Sequence, residues 1–500
     1  MSVATASSSV KTEIAGHFDV LVVGAGISGI DAAYHLKKDF PEKSFTVLET
    51  QGSFGGTWEF HKYPGIRSDS DLYTFGYKWK PWVDAPIASA PEILKYLNEA
   101  IDENALREHL RFQHQVKSAS WSSEDKQWYL TVEQLETGEE IFFTCGFLWM
   151  CQGYYKFDGG YVPDWKGKET FKGDLIHPME WKEDYDYADK EVIVIGSGAA
   201  AATIVPAMAG IAKHVTMLQR SPTYFSPGRN KNELADTLRD LDVPDEWTHE
   251  IVRRQVLKEG ATITKLAFEQ PEMLKEQLLN GVKSFLGEDY DVAKHFTPTY
   301  EPWRQRLAFV PDGDLFKGIN AGDASMCTDN IESFNENGIL LQSGKQLDAD
   351  IIVSATGFKL CVLGDIEFSV DGKAVDFSKT TTYRGCMFSD VPNMAWVFGY
   401  FRASWTLRAD LISELLCRMF GHMKEKGSTV VTPALREEDK NMASLPWIDP
   451  DNFNPGYMQR GLHKMPKQGD REPWIFTQDY DLEKTEFPAA NPDDGSLLYT

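Results

Sequence analysis

The stretch HFDVLVVGAGISGIDAAYHLKK, residues 17–38, passes from an unbroken apolar run through a glycine turn into a segment of helical period. A run without polar alternation predicts a strand covered on both faces, as in a parallel sheet packed between helices. Each glycine of the turn has its own use. Gly24 permits the turn, Gly26 lets backbone approach a pyrophosphate, and Gly29 lets helix and strand pack closely, while the helix N-terminus offers N–H donors. A second apolar run, FTVLE at 45–49, completes a βαβ unit and ends on Glu49. A carboxylate there accepts hydrogen bonds from ribose hydroxyls and repels a 2′-phosphate, which suits FAD or NAD.

The same grammar returns at KEVIVIGSGAAAATIVPAMA, residues 190–209, with Gly196, Ser197 and Gly198 in the turn and Ala201 in the third small position. Its next strand, HVTMLQRS at 214–221, ends on Arg220 and Ser221 instead of an acid. Arginine there can hold a 2′-phosphate through charge-assisted hydrogen bonds, so the second cofactor is expected to be NADPH. Two dinucleotide sites in one chain imply hydride transfer to a flavin, which passes the electrons on to a third reactant.

The expected fold is therefore α/β, with two Rossmann-like dinucleotide-binding domains. Residues 1–145 would form the first part of the FAD domain and 146–225 the first part of the NADPH domain. The charged segment 226–298, with patterns such as LKEQLLNGVKSFL, reads as a helical insertion in the NADPH domain, which would resume over 299–350. The apolar run ADIIVSATGF at 349–358 reads as a buried strand returning the chain to the FAD domain, so that 351–500 would be its second part. An irregular tail would then wrap over the body, covering its own Trp and Phe side chains.

Composition excludes several other classes. Acidic residues outnumber basic ones by 75 to 51, a formal charge of −24, and the surplus is spread along the chain; nucleic acid and anionic membrane are disfavoured as partners. The Ser/Thr-rich start, MSVATASSSVKTEIAG, reads as loose and lacks the apolar core of a signal peptide, and no run is long enough to span a bilayer, so a cytoplasmic location is expected. The six cysteines show no CxxC spacing and read as reduced thiols, with no metal site. A disulfide reductase would need a redox pair near the flavin. Cys145 and Cys151, separated by five residues including Trp149, make a poor one, which leaves oxygen as the common acceptor.

FKGDLIHPMEW at 171–181 has the form FxGxxxHPxxW just before the second glycine turn, and so resembles the signature of type I Baeyer–Villiger monooxygenases. GGTWEFHKYPGIRSDSDLYTFGYKWKPW at 55–82 looks like a second signature of that family. PTYEPWRQRLAFVPDGDLF, ASWTLRADL and NPGYMQRG are similar to later segments of its ethionamide-activating subgroup. The resemblance covers nearly the whole chain after residue 17.

It implies that Gly24, Gly26, Gly29, Glu49, Thr57, Trp58, Asp69 and Val116 surround FAD, and that Gly196, Ser197, Gly198, Arg220 and Ser221 surround NADPH. Arg306 matches the family arginine facing flavin and nicotinamide. Gln305 stands where many members have a lysine on the 2′-phosphate, which leaves NADPH selectivity resting mainly on Arg220. The implied reaction is oxygen insertion into ketones or aldehydes through a C4a-peroxyflavin, with O2 as co-substrate and S-oxygenation of sulfides or thioamides at the same site. A guanidinium stays charged and can stabilise an anionic peroxide and an oxyanion without yielding a proton, and Asp69 would orient it as its counter-charge. His177 is expected to couple domains and not to touch reacting atoms. Trp405 reads equally as a pocket wall or a core residue, and Arg402 lies beside the same segment. Two rivals stay open on the sequence: an N- or S-oxygenating flavin-containing monooxygenase without ketone activity, and a low-turnover flavoprotein redox module.

Overall fold

The computed structural model describes residues 14–500. The loose start expected over residues 1–16 lies outside the described residues as far as position 13, and from Ile14 the chain is already strand. β1 (Ile14–Val23), α1 (Ile27–Asp39) and β2 (Phe45–Leu48) form the first βαβ unit, with β1 and β2 parallel from Val20↔Phe45 to Val23↔Leu48. The apolar run is unbroken because both faces of the sheet are covered. Val20 and Val22 enter one core and Leu21 and Val23 the other.

This first sheet has nine strands. Glu139–Met150 pairs parallel to β1, and Met394–Trp396 pairs parallel to it in turn. An antiparallel arm, His114–Ser122 and Gln127–Gln134, extends the sheet beyond Glu139–Met150. The second sheet is wholly parallel, in the order Ala324–Thr328, His214–Gln219, Glu191–Ile195, Ile351–Ser354, Asp174–Ile176. Its central strand divides its side chains as β1 does, with Val192 and Val194 in one core and Ile193 and Ile195 in the other. Between the sheets' segments, helices Glu233–Asp240, Asp245–Glu269, Pro271–Leu286 and Val292–His295 fill the stretch read as helical.

Two domain boundaries need correction. The strand Ile351–Ser354, expected to return the chain to the first domain, lies between Glu191–Ile195 and Asp174–Ile176 in the second sheet. The chain returns only after it. Likewise Glu139–Met150 carries the first domain past residue 145. The tail is also more regular than expected: it contains helices Gly456–Gly461 and Tyr480–Ala489, and its last strand pairs with Val431–Pro433. Its aromatic side chains Phe453, Trp474 and Phe476 are buried.

The two connections between domains run side by side. Tyr155 bridges Leu360 in antiparallel fashion, Lys156 N donates to Lys359 O at 3.0 Å, and Tyr161 N donates to Gly357 O at 2.9 Å. Among the described residues, no helix is long and apolar enough to cross a membrane.

Candidate active site

A cavity of about 970 Å³ opens where the first glycine turn meets the second domain. Its wall includes Gly24, Gly26, Glu49, Thr57, Trp58, Asp69 and Val116 from the first domain, and Gly198, Gln305 and Arg306 from the second. Gly29, Gly196, Ser197, Arg220 and Ser221 stand outside that wall.

The first turn is built as a bare backbone cradle. Gly24 has φ +102°, and a Cβ there would lie 2.6 Å from the Cys151 carbonyl oxygen. A Cβ on Gly29 would lie 1.8 Å from the Gly24 carbonyl oxygen, so helix and strand close up only around glycine. Gly26 caps α1 with no side-chain bond; Gly29 N and Ile30 N donate back to Gly26 O, while Gly26, Ile27 and Ser28 line the cavity at the positive end of the helix dipole. Glu49 ends β2 and is buried. Its carboxylate accepts from Ala25 N at 2.7 Å and from Gln51 N at 2.8 Å, which fixes the glycine turn. Burial pushes its pKa up against those bonds. Each oxygen keeps a further lone pair for a hydroxyl donor. These features fit a flavin dinucleotide: uncapped N–H groups for the pyrophosphate and a carboxylate for the ribose.

The second turn repeats the cradle. Gly196 has φ +137°, its Cβ would lie 2.4 Å from Ala355 O, and Gly198 caps the helix Ala199–Met208 without a side-chain bond. Ser197 Oγ donates to Ser221 O at 3.2 Å and lies 2.9 Å from Thr223 Oγ1, which ties the turn to the segment after the next strand. Gln219, where an acid would stand, is buried and donates from Nε2 to His295 O and Thr328 Oγ1. Arg220 is exposed and forms no ion pair among the described residues. The fit to a 2′-phosphate rests on that free guanidinium.

Arg306 Nη1 lies 3.4 Å from Asp69 Oδ2. Burial would pull the guanidinium pKa down, but Asp69 and the phenols of Tyr154, Tyr457 and Tyr155 hold it well above its ordinary value. Asp71, and not Asp69, caps the short helix Leu72–Phe75 by accepting from Tyr73 N at 2.8 Å, so Asp69 is free for its ion pair. Gln305 Nε2 donates to Asn454 Oδ1 at 3.4 Å, toward the tail.

His177 uses both ring nitrogens: Nε2 donates to Gly357 O at 3.1 Å and Nδ1 accepts from Met179 N at 3.2 Å. Burial lowers its pKa, which keeps the ring neutral and suits that donor–acceptor pattern. Gly160 is required beneath it, since a Cβ there would lie 1.8 Å from the ring. Trp405 is a cavity wall residue. It donates from Nε1 to Ser28 Oγ at 2.8 Å and stacks on Tyr154 with centroids 5.1 Å apart.

The tyrosines were missed from the sequence. Tyr155 OH donates to Tyr154 OH at 2.6 Å, and the buried Tyr457 hydroxyl finds no partner among the described residues. Tyr154 and Tyr155 follow Gly153 just past the end of Glu139–Met150, and the carboxyl edge of an α/β sheet is where ligands bind; that position was the available signal. Cys145 and Cys151 are both buried and unpaired, and lie in separate cores.

Comparison with known proteins agrees with this geometry. A family profile described as "Flavin-binding monooxygenase-like" matches residues 17–233. The chain is 44% identical over 486 residues to the FAD-containing monooxygenase EthA of Mycolicibacterium smegmatis, covering 97% of each chain. It is 43% identical over 489 residues to the probable FAD-binding monooxygenase AlmA of Acinetobacter baylyi, covering 97% of this chain and 96% of that one. Among solved structures, an oxidized steroid monooxygenase bound to NADP superposes with a TM-score of 0.76 at 20% identity, covering 97% of this chain and 99% of the other. An open crystal structure of cyclohexanone monooxygenase gives 0.75 at 18%, covering 97% and 100%. At these identities the structural likeness speaks to the fold.

Proposed function

Since the chain belongs to the flavin-binding monooxygenases, in the group of FAD-containing enzymes, we propose that it inserts one oxygen atom from O2 into ketones or aldehydes at the expense of NADPH. The products are esters or lactones, and sulfides or thioamides are S-oxygenated at the same site. The observation that carries this reading is the Arg306–Asp69 pair, held in the cavity that the first glycine turn also walls.

Bound in that cavity, FAD supplies the two-electron chemistry that couples NADPH oxidation to activation of dioxygen. Gly24, Gly26 and Glu49 hold its phosphates and ribose. Gly196, Gly198 and Arg220 would hold NADPH, with Arg220 the residue that would meet its 2′-phosphate. Arg306 donates hydrogen bonds to the negative charge that develops on the substrate's carbonyl oxygen, and keeps its proton while doing so. Asp69 aims the guanidinium. Trp58, Trp405 and the tyrosines present aromatic faces that exclude water and suit a small apolar substrate.

The test is product analysis. FAD-loaded protein, NADPH and isotopically labelled O2 are incubated with a simple methyl ketone and, separately, a methyl sulfide. Labelled ester supports the reading. Labelled sulfoxide with unreacted ketone would replace it with an S-oxygenase, and hydrogen peroxide alone with a redox module.

A further inference from the structure

Arg402 lies in the loop before the helix that starts at Trp405, in the first domain. Its Nε donates to Trp303 O at 3.1 Å, and its Nη2 donates to Asn452 O at 2.7 Å and to Asn452 Oδ1 at 2.8 Å. The guanidinium also rests on Phe268 at 5.0 Å and on Phe453 at 5.3 Å. One side chain thus joins three separate pieces: the turn leading to Arg306, the last residues of the helix Asp245–Glu269, and the tail.

The turn it holds is not a relaxed one. Trp303 sits at φ +63°, in the left-handed region that a tryptophan avoids. The tail reinforces the same turn. Asn454 N donates to Arg304 O at 3.0 Å, and Gln305 Nε2 reaches Asn454 Oδ1. Two residues beyond Asn454 and Gln305 come Gly456 and Leu307, and between them Pro455 and Arg306 face the cavity.

The placement of Arg402 is electrostatically poor. No carboxylate of the described residues pairs with it, and burial together with the like charge of Arg304 draws its pKa down to about 10. A half-buried cation beside another cation carries a desolvation and repulsion cost that its hydrogen bonds must offset. Here the rigid planar fork reaches Trp303 O from Nε and Asn452 from Nη2 at once, a spread of fixed donors that the single nitrogen of an ammonium does not reproduce.

We infer that Arg402 is a positioning residue that sets the Trp303–Arg306 turn against the cavity by locking it to the tail at Asn452. This deepens the reading of Arg306 above, and rests on it. Arg402 touches no reacting atom.

The experiment measures NADP⁺ binding to the oxidised, FAD-loaded protein by calorimetry, with no ketone present. Arg402→Lys keeps the charge and the aliphatic stem over Phe268 but loses the fork, and should fold even if Arg402→Ala does not. Because Arg306 is also expected to face the nicotinamide, binding should weaken about tenfold in Arg402→Lys, with little change in the melting temperature measured without NADP⁺. In an Arg306→Ala background the same substitution should add no further loss, because it acts through that residue. Wild-type affinity in Arg402→Lys overturns the inference, as does a further tenfold loss in the Arg306→Ala background. Failure of the wild type to convert ketones, with NADP⁺ binding still dependent on Arg402, would remove the oxygenase reading and leave the positioning role standing.

Discussion

Arg306 and Asp69 stand 237 positions apart in the chain and belong to different domains, yet their side chains meet at 3.4 Å. The guanidinium proposed to serve the reaction and the carboxylate proposed to aim it are therefore brought together only by tertiary assembly.

That pairing separates two effects. Arg306→Ala should lower ester formation by about a hundredfold or more, the size of loss seen when a donor to a developing oxyanion is removed. NADPH oxidation should continue, ending in hydrogen peroxide. Asp69→Asn leaves the guanidinium in place but badly aimed, and a loss of about ten- to a hundredfold is expected. Measuring ester and peroxide together checks both; undiminished ester from Arg306→Ala would refute the arginine's role.

The two glycine turns should fail in different ways. Gly29→Ala drives a methyl group onto the Gly24 carbonyl, and the variant should purify without flavin. Gly196→Ala meets the Ala355 carbonyl instead, and should keep its flavin absorbance while its KM for NADPH rises. Absorbance of the purified variants and steady-state kinetics distinguish them. Flavin retained at full occupancy by Gly29→Ala would contradict the assignment of the first turn.

Arg220 is the exposed cation at the end of His214–Gln219. Arg220→Ala should reduce kcat/KM for NADPH about tenfold and leave NADH almost unaffected, so that the preference narrows. A parallel drop with both nucleotides would mean that the side chain supports the fold and does not read the 2′-phosphate.

A pH dependence of stability arises between α1 and the helix Trp405–Lys426. His35 Nε2 lies 3.0 Å from Asp410 Oδ1 and 3.8 Å from Asp31, with Asp39 3.7 Å from Nδ1. Burial opposes its charge, but Asp31, Asp410 and Asp39 outweigh it and raise the pKa from 6.5 to about 9. The native state thus keeps a proton that the unfolded chain releases. The stabilisation is complete below pH 6.5 and is lost as pH rises to about 9, at up to about 1.4 kcal/mol per unit. Asp31, raised by burial to about 6, titrates below that window. Thermal melts from pH 6.5 to 9 should show a fall for the wild type that is much reduced in His35→Gln; equal slopes would exclude His35 as the source.

Much of this architecture was readable because it is local. The runs at Val20–Val23 and Val192–Ile195 are apolar throughout since each sheet is covered twice, and each glycine turn follows its strand directly. Ile351–Ser354 was legible as a buried strand but not as a member of the second sheet, because its partners at Asp174–Ile176 and Glu191–Ile195 lie far away in sequence. Gln219 shows the same limit. Its residue type says only that an acid is missing, while its inward bonds to His295 and Thr328 depend on elements that arrive later. Tyr457 and Arg402 reach the site's surroundings from the last part of the chain through tertiary contacts alone.

The paired crossings at Tyr155–Leu360 and Tyr161–Gly357, pinned by His177, bear on mechanics. A single thread between two bodies would leave swivel and swing equally free. A laddered ribbon resists swivelling about its own length and yields mainly by folding across its plane. Bending at these crossings would therefore fold across the ribbon's plane instead of swivelling about its length.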